Sequence, residues 1–159
     1  MVNNKEEWER LDSSVQSITV NGCDDYLNEV LDLSRFGELV ELKIGSSCFN
    51  YVSVMSISRL PKLKSVEIGE KSFQNESADS QLMVKNCPAL VSLKIGNQSF
   101  KGFKRFNLSE VDGLKSVMIG DECFKECDLV LRELRSVESV CVRSGSFEKS
   151  RHTVVESLI

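Results

Sequence analysis

The chain has 159 residues, with 20 Lys and Arg against 24 Asp and Glu (net charge −4) and 41% hydrophobic residues. That is one domain's length with enough apolar material to close a core, which argues against disorder, and the mild acidity argues against a nucleic-acid partner, whose binders are usually strongly basic. No apolar run approaches the roughly 18 residues of a membrane span, and a single histidine, His152, leaves little room for histidine-based catalysis or mixed Cys/His metal sites.

The N-terminal stretch MVNNKEEWERL is charged and has no apolar h-region, so no secretory signal is expected and a cytoplasmic location follows. A cell-surface or secreted location is the alternative if a leader precedes the segment. Asn4 with Glu7 three residues on reads as a helix N-cap, and Trp8, Leu11 and Val15 fall on one helical face. The pattern predicts a short helix within an N-terminal cap, residues 1–14, lying over the open first coil of a repeat.

From residue 15 onward the chain repeats itself. The segments LVELKIGSSCF, LKSVEIGEKSF, LVSLKIGNQSF, LKSVMIGDECF and VESVCVRSGSF begin at Leu39, Leu63, Leu90, Leu114 and Val137, in steps of 24, 27, 24 and 23 residues. Val15, Ile18 and Val20 form a weaker first copy. Three apolar columns run through the copies and end in Ile44, Ile68, Ile95, Ile119 and Val142. A phenylalanine column follows: Phe49, Phe73, Phe100, Phe124 and Phe147. Each unit has a second, fainter half with i, i+2 spacing, as in Leu31 and Leu33, Met55 and Ile57, Leu82 and Val84, Phe106 and Leu108, Leu129 and Leu131, Thr153 and Val155. A third apolar residue closes each half: Phe36, Leu60, Cys87, Val111, Leu134, Leu158. Period two means strand, and no space remains for a helix of ten or more residues. The predicted fold is a repeat solenoid over 15–159: about six stacked coils of 23–27 residues, two facing parallel β-sheets, and the short N-terminal capping helix.

Turn chemistry agrees with that fold. Gly45, Gly69, Gly96 and Gly120 follow the third column, with Asn21 in the first copy, and are expected to take left-handed or otherwise strained backbone. Arg143 breaks the rule, and Gly145 two residues later predicts a reshaped turn. Pro61 and Pro88 sit at turns before a repeat start. The longest unit carries its extra residues after Phe73, in QNESADSQ, as a polar surface loop. At the other end, Thr153, Val155 and Leu158 are the second-strand positions of a last coil that no further unit covers. The expectation is either a segment of a longer array or weak self-association through this C-terminal end.

The L-x-x-[LV]-x-I core strand, the phenylalanine six to ten residues before the second strand, and the F-x-x-C of Phe124 and Cys127 resemble the leucine-rich repeats, and within them the BspA-type group. The resemblance covers roughly residues 15 to 158. Glycine replaces the Asn or Cys that usually follows the core strand, which departs from the family pattern. The resemblance implies a binding surface, with surface attachment and host contact as themes of the BspA-type relatives. The spacing by itself implies a solenoid and nothing more.

Little else in the sequence points to chemistry. Cys87 falls in an inward column. Cys48 and Cys123 share the position otherwise held by Ser72, Ser99 and Ser146, three coils and about 14 Å apart by the strand spacing, too far to bond. Cys23 lies in the N-terminal turn, Cys141 points outward, and the one close pair, Cys123 and Cys127, is not a zinc ligand set. Free thiols are expected, with no cofactor and no metal. The N-x-S sequons at Asn75, Asn97 and Asn107 are read as incidental. The carboxylate pairs Asp24–Asp25 and Asp121–Glu122 are read as solvated, His152 as a surface residue, and the protein as no enzyme.

A surface is the better candidate. One outward column of the first sheet reads Ser17, Glu41, Ser65, Ser92, Ser116, Ser139, and the other Thr19, Lys43, Glu67, Lys94, Met118, Cys141. Lys43, Glu67 and Lys94 alternate in sign, so neighbours should attract across strands. The serines leave the sheet open, and Met118 and Cys141 are apolar where charge is expected. Glu41, Lys43, Glu67, Lys94, Met118 and Cys141 are therefore the candidate protein-binding residues of a non-catalytic repeat domain whose partner is another protein. The alternative is a structural or surface-attachment segment of a longer array.

Overall fold

The computed structural model describes residues 1–156; the expected inward Leu158 lies outside them. One helix, α1 (Lys5–Glu9), precedes the coils. The first coil then holds β1 (Ser17–Val20) and β2 (Val30–Asp32), the second β3 (Glu41–Ile44) and β4 (Val54–Ser58), the third β5 (Ser65–Ile68) and β6 (Gln81–Lys85). The fourth holds β7 (Ser92–Ile95) and β8 (Arg105–Ser109), the fifth β9 (Ser116–Ile119) and β10 (Asp128–Arg132), the sixth β11 (Ser139–Val142) and β12 (Thr153–Glu156). Odd strands form one six-stranded parallel sheet in the order β1-β3-β5-β7-β9-β11, and even strands form the other, β2 through β12. The molecule is a β-solenoid of six coils, as the repeat pattern predicts.

Alternation decides which side chains go inside. Leu42 and Ile44 are buried while Lys43 between them is exposed, and the same pattern recurs in β5, β7 and β9. The inward columns meet between the sheets. The phenylalanine rings stack along the axis: Phe73 on Phe100 at 4.6 Å and 5°, Phe100 on Phe124 at 5.1 Å and 3°, Phe124 on Phe147 at 5.3 Å and 8°. Each phenylalanine holds left-handed backbone, with φ of 57°, 57°, 54°, 48° and 55° from Phe49 to Phe147. That conformation costs an L-residue about 1–2 kcal/mol. Burying the ring returns about 1.5–3 kcal/mol, so ring burial outweighs the strain. Just before this column, Ser72 Oγ accepts from Cys48 N at 3.1 Å and donates to Gly45 O at 2.9 Å. Ser99 does the same between Ser72 N and Gly69 O, and Ser146 between Cys123 N and Gly120 O. A buried hydroxyl ladder thus pairs backbone groups that the tight corner leaves without partners.

The column glycines are needed for a different reason than strain. Gly45, Gly69, Gly96 and Gly120 do not have positive φ. A Cβ on Gly69 would lie 2.6 Å from the carbonyl carbon of Gly45, and one on Gly96 would lie 2.7 Å from that of Gly69. Adjacent coils touch backbone to backbone here, and a side chain has no room. The left-handed residue comes two positions later, at Ser47, Lys71, Gln98, Glu122 and Gly145. Gly145 is therefore the ordinary left-handed corner of its coil, and the turn at Arg143 is not reshaped. Arg143 N donates to Ile119 O at 3.0 Å, as Gly120 N does to Ile95 O at 2.9 Å.

The proline corners are β-turns. Leu63 N donates to Leu60 O at 3.3 Å and Leu90 N to Cys87 O at 3.1 Å, which puts Pro61 and Pro88 at the position where their fixed φ is favoured. In the longest unit, residues 76–79 are exposed, while Asn75 Nδ2 donates to Tyr51 O at 3.0 Å.

At the N-terminal end, Asn4 Oδ1 accepts from Glu7 N at 2.9 Å and caps α1, and Lys5 N donates to Asp25 Oδ1 at 3.1 Å. The helix stops at Glu9, so Leu11 and Val15 do not share a helical face with Trp8; both pack half-buried on the core from the following turn and coil. Trp8 is buried, edge-on to Phe36 at 5.8 Å and Phe49 at 5.4 Å. Val2 has a role that no repeat column foretells. It bridges to Val20, with Val2 N donating to Thr19 O and Asn21 N to Val2 O, both at 2.7 Å, and so covers the free edge of β1.

Candidate functional site

The outward face of the odd-stranded sheet has the registry that the repeats imply. Ser17, Glu41, Ser65, Ser92, Ser116 and Ser139 stand in one row, and Thr19, Lys43, Glu67, Lys94, Met118 and Cys141 in the next. All six candidate residues lie on this one surface. Lys43, Glu67, Lys94 and Cys141 are exposed, Glu41 is half-buried, and Met118 keeps 43% of its surface open. The serine row rises little above the backbone, so the longer side chains of the second row border a shallow floor.

Charge pairing on the face differs in one respect from the alternating ladder. Lys94 Nζ meets Glu67 Oε1 at 3.1 Å across strands. Lys43 pairs with Glu41 of its own strand at 3.1 Å and makes no ion pair with Glu67. Two residues apart on one strand, Glu41 and Lys43 point to the same face, and the small Ser65 beside Glu41 leaves that carboxylate free to take the lysine. Both pairs are about half exposed, so each contributes little to stability. A shallow groove of about 340 Å³ opens beside them, bounded by Thr19, Asn21, Lys43 and Glu67 and floored by Gly45 and Gly69. The backbone contact that demands glycine therefore also keeps the corner of this face open.

Sequence reasoning passed over the outer face of the even-stranded sheet. Val30, Val54, Met83, Val130 and Val154 all point outward there, Val30 beside Val54, Val130 beside Val154, and Met83 between Ser56 and Asn107. The same alternation applied to the second half of each unit would have found them. Asn107 shares that face, and its buried Oδ1 has no hydrogen-bond partner. A second groove, of about 430 Å³, lies at the corner next to it, lined by Lys104, Arg105, Glu126, Asp128, Lys149 and Arg151. Glu126 there bridges Lys104 at 3.3 Å and Lys149 at 3.4 Å, and the two cations hold its carboxyl below the usual range.

The remaining candidates have structural partners. All six cysteines are free thiols, and Cys141 alone is exposed. Burial, assisted by the nearby Asp25, pushes the Cys23 thiol up to about 12. Burial pushes Cys123 up to about 11 and raises Cys87 and Cys127 as well. Asp24 and Asp25 accept backbone N–H bonds from Asn50 and Lys5, and Glu122 pairs with Lys125 at 3.2 Å and Lys101 at 3.6 Å. Asn97 Oδ1 accepts from Asp121 N at 2.9 Å, and His152 is exposed. Among the described residues no group of three or more His, Cys, Asp or Glu is placed to hold a metal ion, and no helix is long and apolar enough to cross a membrane. Comparison with protein-family models, curated proteins and solved structures returns no match.

Proposed function

We propose that the protein is a non-catalytic binding module of leucine-rich-repeat-like, BspA-type character that recognises another protein across the outward face of its odd-stranded sheet. One observation supports this reading above the others. The repeats align Lys43, Glu67, Lys94 and exposed Met118 in a single row beside a row that is serine at every position but Glu41. Such a face offers a partner an open backbone floor, a charge pattern for register, and an apolar contact at one end. The six free thiols suit a reducing compartment, and a cytoplasmic location goes with that.

A second reading rests on the regular stacking of six coils into two parallel sheets: the chain as a structural or attachment segment of a longer array, in which stacking matters and the face does not. One experiment separates the two. Lys43, Glu67, Lys94 and Met118 are changed together to Ser, Ser, Ser and Thr, and the variant is compared with wild type for melting temperature and partner capture. A binding module keeps its melting temperature and loses its partner. Capture unchanged by the four substitutions would contradict the proposal and favour the array.

A further inference from the structure

The ladder of side chains at the phenylalanine corners has one member per coil: Cys23, Cys48, Ser72, Ser99, Cys123 and Ser146. Backbone bonds set the column. Phe49 N donates to Cys23 O at 3.4 Å, as Phe73 N does to Cys48 O at 3.1 Å and Phe100 N to Ser72 O at 3.0 Å. Cys23 therefore stands in the column of Cys48, one coil away. Four of the later members donate back to the preceding coil: Ser72 Oγ to Gly45 O at 2.9 Å, Ser99 Oγ to Gly69 O at 2.6 Å, Cys123 Sγ to Gly96 O at 3.2 Å and Ser146 Oγ to Gly120 O at 2.7 Å. Cys48 differs. Its Sγ meets Ser46 O of its own corner at 3.5 Å, and among the described residues it makes no bond back to the first coil.

We propose that Cys23 and Cys48 are a modification site, a thiol pair that oxidises to a disulfide and joins the first coil to the second where later coils are joined by hydrogen-bonded rungs. Both side chains are fully buried. The two sulfurs are near enough for charge on Cys48 to push the Cys23 thiol up. Neighbouring coils lie about 4.8 Å apart, inside the roughly 4.4–6.8 Å that a disulfide spans between Cα atoms. Cys123, the third cysteine of the column, has Ser99 and Ser146 as its neighbours, so the column offers one such pair. Stacking brings together two cysteines that their sequence spacing does not suggest.

Cys23 is thinly covered. Of residues 21–29, between β1 and β2, only Cys23 and Tyr26 are buried, and Gly22 and Asp24 on either side of Cys23 are exposed. Local lifting of this segment uncovers the thiol without parting the sheets. Burial and the nearby Asp25 hold that thiol up to about 12, so thiolate is scarce at neutral pH and the reaction quickens as pH rises. Asn21 of the first coil and Ser46 of the second both line the groove on the odd face, so the bond ties those two walls together.

The oxidant is a low-molecular-weight disulfide. The Cys23 thiolate attacks one of its sulfurs, forms a mixed disulfide and releases one small thiol. The Cys48 sulfur then attacks the Cys23 sulfur and displaces the second small thiol. The two cysteine protons end on the two released thiols, so the protein's thiol pair is oxidised and one small disulfide is reduced. In a reducing compartment the same exchange run backwards opens the bond, which makes the pair sensitive to the balance of small thiol and small disulfide.

The full reduced chain is incubated with excess oxidised glutathione at mildly alkaline pH, alkylated with N-ethylmaleimide in denaturant, digested and mapped by mass spectrometry. The expected result is a peptide linked through Cys23 and Cys48, with Cys87, Cys123 and Cys127 still alkylated. The oxidised chain should melt several degrees higher, and dithiothreitol should reverse the rise. Serine holds this column position in three other coils, so Cys23→Ser and Cys48→Ser should keep the wild-type circular dichroism. Both should lose the linked peptide and the rise, whereas Cys141→Ser should keep them. Cys23 and Cys48 left open to alkylation, or joined to other cysteines, would overturn the proposal. So would a linked peptide that does not raise the melting temperature, or a rise that survives Cys23→Ser.

Discussion

Glycine and phenylalanine hold the corners of each coil in opposite ways. The glycine is there because neighbouring backbones touch, the phenylalanine because its ring repays a left-handed turn. Gly96→Ala sets a Cβ 2.7 Å from the Gly69 carbonyl carbon and 2.8 Å from Glu70 N, and neither backbone atom can move without parting two coils. Gly37 has nothing within 4 Å of its Cβ position and no positive φ. Gly96→Ala should therefore destabilise by several kcal/mol, while Gly37→Ala should be neutral or stabilising by about 0.4–1 kcal/mol. Urea unfolding of the two variants checks the contrast; equal effects would mean that the coils are not in backbone contact. The glycine column was plain in the sequence but its cause was not, because glycine marks both positive φ and close approach. Only the neighbouring coil distinguishes them. Nor could the sequence foresee that Lys43 would choose Glu41 over Glu67, since that depends on side-chain rotamers.

At the scale of elements, the stacked rings and the buried thiols lead to separate predictions. Phe100 sits between two rings, at 4.6 and 5.1 Å. Phe100→Ala should cost about 3–5 kcal/mol out of a total on the order of 5–15 kcal/mol. Thermal melting reads this directly, and a shift of a degree or two would mean that the stack carries no weight. The thiols predict selective reactivity: a maleimide should label Cys141 in the native protein and all six cysteines after unfolding. They also predict an alkaline limb of stability. Below about pH 9 the buried thiols are protonated in both states and stability does not depend on them. Between about 9 and about 12 the unfolded chain releases protons that Cys23 and Cys123 retain when folded, so stability falls as pH rises. Cys23→Ala should flatten that limb. The strands were legible because period-two alternation recurs in every unit. The helix was read too long, because Trp8, Leu11 and Val15 mimic a helical face while packing on the core from different elements.

For the whole molecule, regular stacking governs everything else. It places the six candidate residues on one surface and gives Val2 and Trp8 a first coil to cover. The repeat count and the row registers could be read from the sequence because each coil contacts mainly its neighbours. The covering of β1 could not, since it depends on Val2, outside the repeats, bridging to Val20. The most direct test is one distance. Thr19 and Cys141 stand in one row, five strand steps apart. With Thr19→Cys and the native Cys141 both spin-labelled, and the protein diluted into unlabelled chain, dipolar spectroscopy should give one narrow distribution. Its centre should lie near five strand spacings, about 24 Å, broadened by the label linkers. A distribution centred well beyond that distance, or spread without a maximum, would contradict the stacked solenoid and the binding face built on it.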